Sequence, residues 1–589
     1  MAEFLKLLLP RVGFDRIVQI ETLLVCVAVL GALLIPRVGR KWFAATGRAF
    51  TRFANRRILA IVTAAVLVLL LRAAIDPLLA IHHPAVHDEF SYLLAARTFA
   101  AGRLTNAAHP LWEHFESFHI LQQPTYMSMY PPAQGLVLAA GIALTDSPWA
   151  GVYLANAVAC GIFCWMLQGW LPPRWALLGA LIAVIRIGTF SYWMNSYWGG
   201  TVAAAGGALA LGALPRLLRD PRVRDSLALG AGVVILANSR PYEGLVTVIG
   251  VALVFLLALA RSKPDMVRGL LWKGLSAAAA VVLLGAAATM FYYSRVTGSP
   301  FRMPYLLNRD TYAVHGLFVW QKQRPAPQYR HEEFRKFYVQ FESAFQQGGE
   351  RQSLTQHLSR LSRQAQMLNA FYCGPLMLPP FLAGILGFGN RRLRPLVCIG
   401  VVFLTGMLLQ NWVQPHYVAP ICGLLLVVFV HGIRRIRTSR FAGHPAGLFF
   451  ARAVPSICGL MFAVRCLAGP LGLLSPVAFP LTWAQSSPAF PERARLIEEL
   501  SLTGEKHLVI VHYGAEYDFL FHEWVYNEPD IDGAQVVFAR EMDGLHNEKL
   551  LQHFKDRRIW RLCADNSRIV FQPFPVQPAK IDSRSATVR

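Results

Sequence analysis

The residues best suited to chemistry in this chain follow directly on an apolar stretch: His87-Asp88-Glu89-Phe90-Ser91-Tyr92, continued by an amphipathic segment from Leu93 to Ala101. Two adjacent carboxylates at the start of a helix lying along a membrane interface sit close to the bilayer plane. There they can take protons or hydrogen bonds from a reactant, or simply satisfy the first backbone N–H groups of the helix. Residue type alone favours the plainer role, with Asp88 as helix cap. His82, His83 and His87 lie beside the pair and raise a divalent cation, but their spacing follows no regular ligand pattern. Further along, Tyr130-Pro131-Pro132-Ala133-Gln134-Gly135 opens the next apolar run.

Membrane helices have to position these residues. Of the 589 residues, 54% are hydrophobic and 15% charged, and the mean hydropathy is +0.39. A soluble fold of this size needs less apolar sequence. Val18 to Ile35, Ile58 to Ile81, Trp149 to Trp170 and Leu270 to Tyr293 each approach the roughly 20 residues that cross hydrocarbon. The net charge of +23 is concentrated in short loops, such as Arg37, Arg40, Lys41, Arg48, Arg52, Arg56 and Arg57, with no acid among them. Basic short loops are cytoplasmic, so the charge reports topology and not nucleic-acid binding.

With those loops inside, the segments at about 81–132 and 294–374, the turns Asn195 to Gly200, Asn238 to Gly244 and Gln410 to Tyr417, and the tail after Pro470 lie outside. Parity makes Gln134 to Leu144, too short to cross, a partial or re-entrant helix. The expectation is an all-α polytopic membrane protein with about twelve crossings and both termini outside. Residues 1–475 form this module. Alternating helix and strand patterns over 485–575 predict a small extracytoplasmic α/β domain, followed by a disordered tail at 576–589. Its first strand leads into Val511-His512-Tyr513-Gly514, which lacks a glycine-rich phosphate loop. Cys160 and Cys164 are an i, i+4 packing pair, and the cysteines describe no disulfide framework.

The order of these motifs resembles the integral-membrane glycosyltransferases of the GT-C superfamily. The shared features are an Asp-Glu pair in the first outward loop, a Tyr three residues on, Gly102 ending the helix and a Tyr-Pro-Pro opening the next apolar segment. The branch holding protein O-mannosyltransferases and the aminoarabinose transferase of lipid A is the most similar. The resemblance spans roughly Asp76 to Arg261 at motif level and the rest as architecture only. It implies a GT-C-like bundle and inverting transfer of a sugar from a polyprenyl-phosphate donor to a lipid, glycan or protein acceptor. A lipid phosphate leaves as a stable anion, so one base and some positive charge suffice. Asp88 would be that base, with Glu89 orienting it or the acceptor.

The same resemblance calls for a fixed cation at the outer surface. Arg240 in Asn238-Ser239-Arg240-Pro241-Tyr242-Glu243, His416 with Tyr417, and more weakly Arg302 are the candidates for donor phosphate. The alternative for Arg240 is an ion pair with Glu243. Tyr92, Tyr130, Tyr197, Trp198, Tyr242 and Glu243 would face substrate, although Trp193, Tyr197 and Trp198 also suit an interfacial belt. A monophosphate donor requires no metal, and no cofactor is expected. The chain lacks a Lys beside Tyr-Pro-Pro, where the aminoarabinose enzymes would have one, so donor identity does not carry over. The location expected is the cell (inner) membrane. The competing class is a transporter or flippase of a lipid-linked saccharide, which needs charges in mid-span, Arg186 being the main one.

Overall fold

The computed structural model describes residues 15–79, 82–261, 264–345, 354–387, 389, 393–440, 443–474, 482–565 and 569–574. The expected tail at 576–589 lies outside them. Among the described residues, 8 helices are long and apolar enough to cross a membrane: Arg16–Leu34, Arg57–Leu78, Pro148–Trp170, Pro241–Leu259, Val267–Thr297, Thr355–Ile385, Ala419–Thr438 and Ala446–Cys466. The protein is a multi-pass helical membrane protein on this composition. Shorter apolar helices, among them Pro132–Thr145, Thr201–Leu217 and Arg394–Leu408, complete the bundle, so length and composition alone account for fewer than the expected twelve crossings.

Pro132–Thr145 turns back through Asp146, in the left-handed region at φ 57°, into Pro148–Trp170. The two helices touch backbone to backbone: a Cβ on Gly141 would stand 2.2 Å from the Gly151 nitrogen. At 14 residues the first helix is about 21 Å long, short of the hydrocarbon thickness.

The bundle has two chemically different ends. At one, Gln168 donates to the Arg57 carbonyl, Arg216 to Trp165 and Arg219 to Gly169, Arg435 donates to Leu386, and Arg174 and Arg434 both lie against the Trp175 ring. At the other, the segments around residues 82–131, 193–200, 238–243, 304–317 and 409–417 meet one another through backbone and side-chain hydrogen bonds. Aromatic and acidic residues gather at this second end because hydrocarbon does not tolerate their polar atoms.

Charges that do enter the bundle are sealed. Arg186 bonds Glu21 at 2.7 Å and the Cys373 carbonyl at 2.8 Å, and its guanidinium lies 4.7 Å from the Trp483 ring centre. Trp483 in turn donates to the other Glu21 oxygen at 2.9 Å. Arg72 is closed similarly by Asp76, Asn195 and the Thr189 carbonyl.

The tail forms a four-stranded sheet in the order Val536–Arg540, His507–Tyr513, Arg558–Ala564, Ile569–Pro573, parallel except for the last strand. Helices Pro491–Ser501 and Gly544–His553 accompany it. The expected α/β alternation is present, and the antiparallel edge strand is additional. This unit is not a freestanding cap. Its apolar side chains form common clusters with Phe90, Leu94, Phe115, Phe118 and Tyr126 of the first loop. Arg540 donates to the Glu116 carbonyl at 2.8 Å, Tyr126 to the Asn527 carbonyl at 3.0 Å and Ser117 to the Val525 carbonyl at 2.6 Å.

The Arg186–Glu21 pair sets a stability prediction. Glu21→Leu leaves a buried guanidinium uncompensated and costs about 3–5 kcal/mol, read as a fall in the thermal midpoint of the purified protein. Adding Arg186→Leu restores most of it; a double variant no more stable than the single one refutes the pairing.

Candidate active site

The site begins at the first turn of the His87–Ala100 helix, whose N-cap is Val86. Glu89, not Asp88, satisfies that turn: its Oε2 accepts from the Val86 and Ala85 backbone nitrogens at 3.3 and 3.1 Å. Its Oε1 meets His82 Nε2 at 2.7 Å and accepts from the Tyr197 nitrogen at 3.0 Å. With 0% of Glu89 exposed, this carboxylate is consumed in joining the 82–86 segment to the 193–200 segment. It makes no bond to Asp88. The expected orienting role therefore becomes an indirect one, through the helix.

Asp88 is thereby released from capping. It retains 18% exposure, accepts a short hydrogen bond from the Tyr130 hydroxyl on Oδ1, and has His119 Nδ1 3.6 Å from Oδ2. The Tyr130 hydroxyl also lies 3.1 Å from His119 Nδ1. Burial works against the carboxylate, but the nearby His119 ring and then the hydrogen bond from the Tyr130 hydroxyl outweigh it and hold Asp88 below the usual carboxylate range. His119 adopts φ 60°, uncommon for a residue with a side chain. Its carbonyl is pinned by the Ser91 hydroxyl at 2.7 Å and the Met129 nitrogen at 3.1 Å, inside the small antiparallel sheet of Ile120–Leu121 with Thr125–Ser128. Nothing in the sequence near His119 marks it: the residue matters because this turn aims it at Asp88.

The Tyr-Pro-Pro motif places Tyr130 on Asp88 and stacks Tyr92 on Tyr130 at 4.6 Å. One residue after Pro132, the Ala133 nitrogen donates to the Asn238 carbonyl at 2.9 Å, which draws in the turn carrying Arg240. The Arg240 guanidinium lies 4.6 Å from the Tyr417 ring centre. Among the described residues it forms no ion pair, so the alternative of a lock with Glu243 is not realised; Glu243 instead accepts from Gln410 at 3.1 Å. Burial disfavours the Arg240 charge, but Tyr92, Tyr417, Glu243 and Tyr130 around it act the other way and raise its pKa.

His416 is buried, 2.8 Å from the Tyr192 hydroxyl through Nδ1 and edge-on to Trp198. Burial, then the Arg240 charge, push its pKa well below the ordinary histidine value despite Asp88. Its surroundings thus disfavour the imidazolium, whereas those of Arg240 favour its charge.

The remaining candidates scatter. Tyr197 sits behind Glu89 against Trp149 at 4.9 Å. Trp198 donates to Ser487 at 3.2 Å, and Tyr242 to the Gly406 carbonyl at 2.8 Å, both structural links. Arg302 is exposed and 3.6 Å from Asp310, outside the cluster. Tyr305, unnoticed in the sequence, joins it at 6.3 Å from the Tyr130 ring.

The neighbouring histidines do not converge: His82 is bound to Glu89, and His87 lies 2.8 Å from Tyr526 with Nε2 unpaired. Among the described residues a metal-like grouping occurs elsewhere, at His109, Asp532 and His553. His109 Nδ1 accepts from the Leu111 nitrogen, so its Nε2 carries the proton and donates to Asp532 at 3.2 Å. A ligating Nε2 needs the opposite tautomer, so this arrangement is a hydrogen-bonded clasp.

No family model matches the chain, and no curated protein matches it. Among solved structures it is similar to ArnT from Cupriavidus metallidurans bound to undecaprenyl phosphate, at 13% identity over 86% of this chain and 93% of that one, with a TM-score of 0.46. It is also similar to the Archaeoglobus fulgidus oligosaccharyltransferase in complex with Zn and sulfate, at 10% identity over 86% and 67%, TM-score 0.48. The Archaeoglobus fulgidus oligosaccharyltransferase AglB with an inhibitory peptide and a dolichol-phosphate gives 9% identity over 86% and 69%, TM-score 0.45.

The division of labour between the two carboxylates predicts opposite stability effects. Glu89→Gln sets an amide NH2 against backbone donors and destabilises by about 1–3 kcal/mol, with faster hydrogen exchange at residues 85–90. Asp88→Asn leaves the melting curve near wild type. Equal losses in the two variants exclude this assignment.

Proposed function

We propose that the protein is an inverting glycosyltransferase, moving a sugar from a polyprenyl-phosphate donor to an acceptor hydroxyl or amine on the extracytoplasmic side of the membrane. One observation carries the proposal: among the described residues, the partly exposed carboxylate of Asp88 and Arg240, which is in no ion pair, flank the stacked Tyr130 and Tyr92 at the aromatic-rich end of the bundle. The positive-inside rule puts the basic end in the cytoplasm and this cluster outside. We read the bundle as crossing about twelve times, with shorter apolar helices counted beside the long ones.

In the reaction, the acceptor oxygen or nitrogen attacks the anomeric carbon opposite the phosphate, and the carbon–oxygen bond to phosphate breaks as the new bond forms. The lipid phosphate departs with the electron pair, and Arg240 can donate two parallel hydrogen bonds to its oxygens. Asp88 takes the acceptor proton. Its low pKa makes it a weak base, suited to a proton already made acidic by bond formation. Tyr130 holds the carboxylate by its hydrogen bond until the acceptor replaces it, with His119 alongside. Hydrolysis of a glycoside would need a second carboxyl at the same bond, and Glu89 is walled in. A flippase reading loses its mid-span route, because Arg186 is closed by Glu21 and Trp483.

Asp88→Asn lowers transfer to a synthetic acceptor from a short-chain polyprenyl-phosphate sugar by on the order of 10³-fold while the protein still binds donor. Retained activity rejects the role. His119→Ala removes the strongest of the interactions favouring the Asp88 carboxylate, so its pKa rises and the acid limb of the pH–rate profile moves to higher pH. An unmoved limb refutes that coupling. For sidedness, a membrane-impermeant maleimide labels Leu545→Cys on intact cells, and Arg48→Cys only after lysis.

A further inference from the structure

The helix Arg40–Ala54, at the basic end of the bundle, takes no part in the site above. It links the spans Arg16–Leu34 and Arg57–Leu78, and Gly39, in the left-handed region at φ 70°, turns the chain into it. With 15 residues it is about 22 Å long, too short to cross hydrocarbon, and its basic residues exclude it from there. It packs on the Arg57–Ile75 and Pro173–Arg186 helices. Lys41, Arg48 and Arg52 follow one another at seven and four residues, which at 100° per residue sets them within about 40° on one face. Trp42, Phe43, Phe50 and Phe53 occupy the opposite face. Phe50 and Phe53 are half-buried against the bundle core, and the Phe43 ring centre lies 5.3 Å from the Arg452 guanidinium. Trp42, edge-on to Phe43 at 4.8 Å, stays 63% exposed. Protein thus covers only part of the apolar face, and the ends of the flanking spans expose Leu33, Leu34 and Ile58 beside it.

The basic face is unpaired. Among the described residues, Lys41, Arg48 and Arg52 are exposed and meet no carboxylate within ion-pair distance, and the sequence from Arg37 to Arg57 holds no acid. Another loop at the same end differs: Arg222 pairs with Asp220 at 2.6 Å, and Arg224 lies 3.8 Å from Asp225. An amphipathic helix with an uncovered apolar edge and a carboxylate-free basic face, set between two lipid-exposed spans, fits the boundary of a negatively charged bilayer. We propose that Arg40–Ala54 lies in the membrane interface and binds anionic phospholipid headgroups, with Trp42 at the acyl boundary and Lys41, Arg48 and Arg52 on the phosphates. The partner is the bilayer surface, because a soluble polyanion would leave the apolar edge at Trp42 in water. The positive-inside rule makes this the cytoplasmic leaflet, an assignment that rests on the orientation proposed above, whereas the binding does not.

The test is hydrogen exchange, read by mass spectrometry, on the full chain in nanodiscs of phosphatidylcholine alone and of phosphatidylcholine with about 30% phosphatidylglycerol. Amides at 41–54 are expected to exchange about tenfold more slowly with phosphatidylglycerol present, since each basic residue near an anionic surface is worth roughly fivefold in partitioning. The difference disappears in Lys41→Gln/Arg48→Gln/Arg52→Gln, and in about 1 M salt, where the Debye length is about 3 Å. Arg222→Gln/Arg224→Gln retains it. Millimolar sodium tripolyphosphate added to the phosphatidylcholine nanodiscs does not reproduce it. Trp42→Ala speeds exchange in both bilayers, and an unchanged rate there overturns the insertion. The proposal as a whole is overturned if exchange at 41–54 is equal in the two bilayers, if the triple variant keeps the difference, if the Arg222/Arg224 variant loses it, or if tripolyphosphate protects as well as phosphatidylglycerol. Should the triple variant fail to fold, the lipid and salt comparisons on the wild-type chain decide.

Discussion

The saturation of Glu89 is the interaction on which the site depends. A carboxylate with no exposed surface must be met on every side, and here four contacts do so: two backbone nitrogens of its own helix start, His82 and the Tyr197 nitrogen. This network anchors the helix, ties the first loop to the 193–200 segment, and discharges the capping function. Asp88, one residue earlier and about 100° round the helix, is left with an oxygen to offer. Two adjacent acids of similar intrinsic character thus acquire opposite tasks from their surroundings alone.

The electrostatics of the bundle follow the same economy. At Arg72 and Arg186, carboxylate, carbonyl and ring partners gather round the charge. Arg240 is the contrast. Among the described residues it faces tyrosine rings and no carboxylate within ion-pairing distance, and after burial it is the next influence that disfavours the charge of neighbouring His416. A fixed cation surrounded by phenols, with one carboxylate across the cluster, forms a charge-separated site. It suits a reaction in which negative charge leaves on one side and a proton on the other.

The C-terminal α/β unit takes part in this arrangement without supplying a reacting group. Its Tyr526 lies flat on Phe90 at 4.0 Å and reaches His87 next to Asp88, and Arg540 sits between Glu523, Glu333 and the Glu116 carbonyl. The first loop is therefore sandwiched between bundle and sheet. A short segment with little regular structure can hold a residue such as His119 in a left-handed conformation only when both of its sides are packed.

The amino-acid sequence determines the membrane bundle, because hydrocarbon demands long apolar runs. It also determines the small α/β tail, whose periodicity is local, and the ordered motifs around Asp88, Tyr130 and Arg240. Apart from the antiparallel edge strand, those features were legible because each is written in contiguous residues. What tertiary structure alone decided is which acid caps and which is free, that His119 and Tyr305 join the cluster, that burial disfavours the charge of His416, and that Arg302 stands apart paired with Asp310. These outcomes depend on partners dozens to hundreds of positions away, such as Tyr197 for Glu89 and Tyr192 for His416. Burial and pairing are properties of the packed environment, and no pattern in neighbouring residues encodes them.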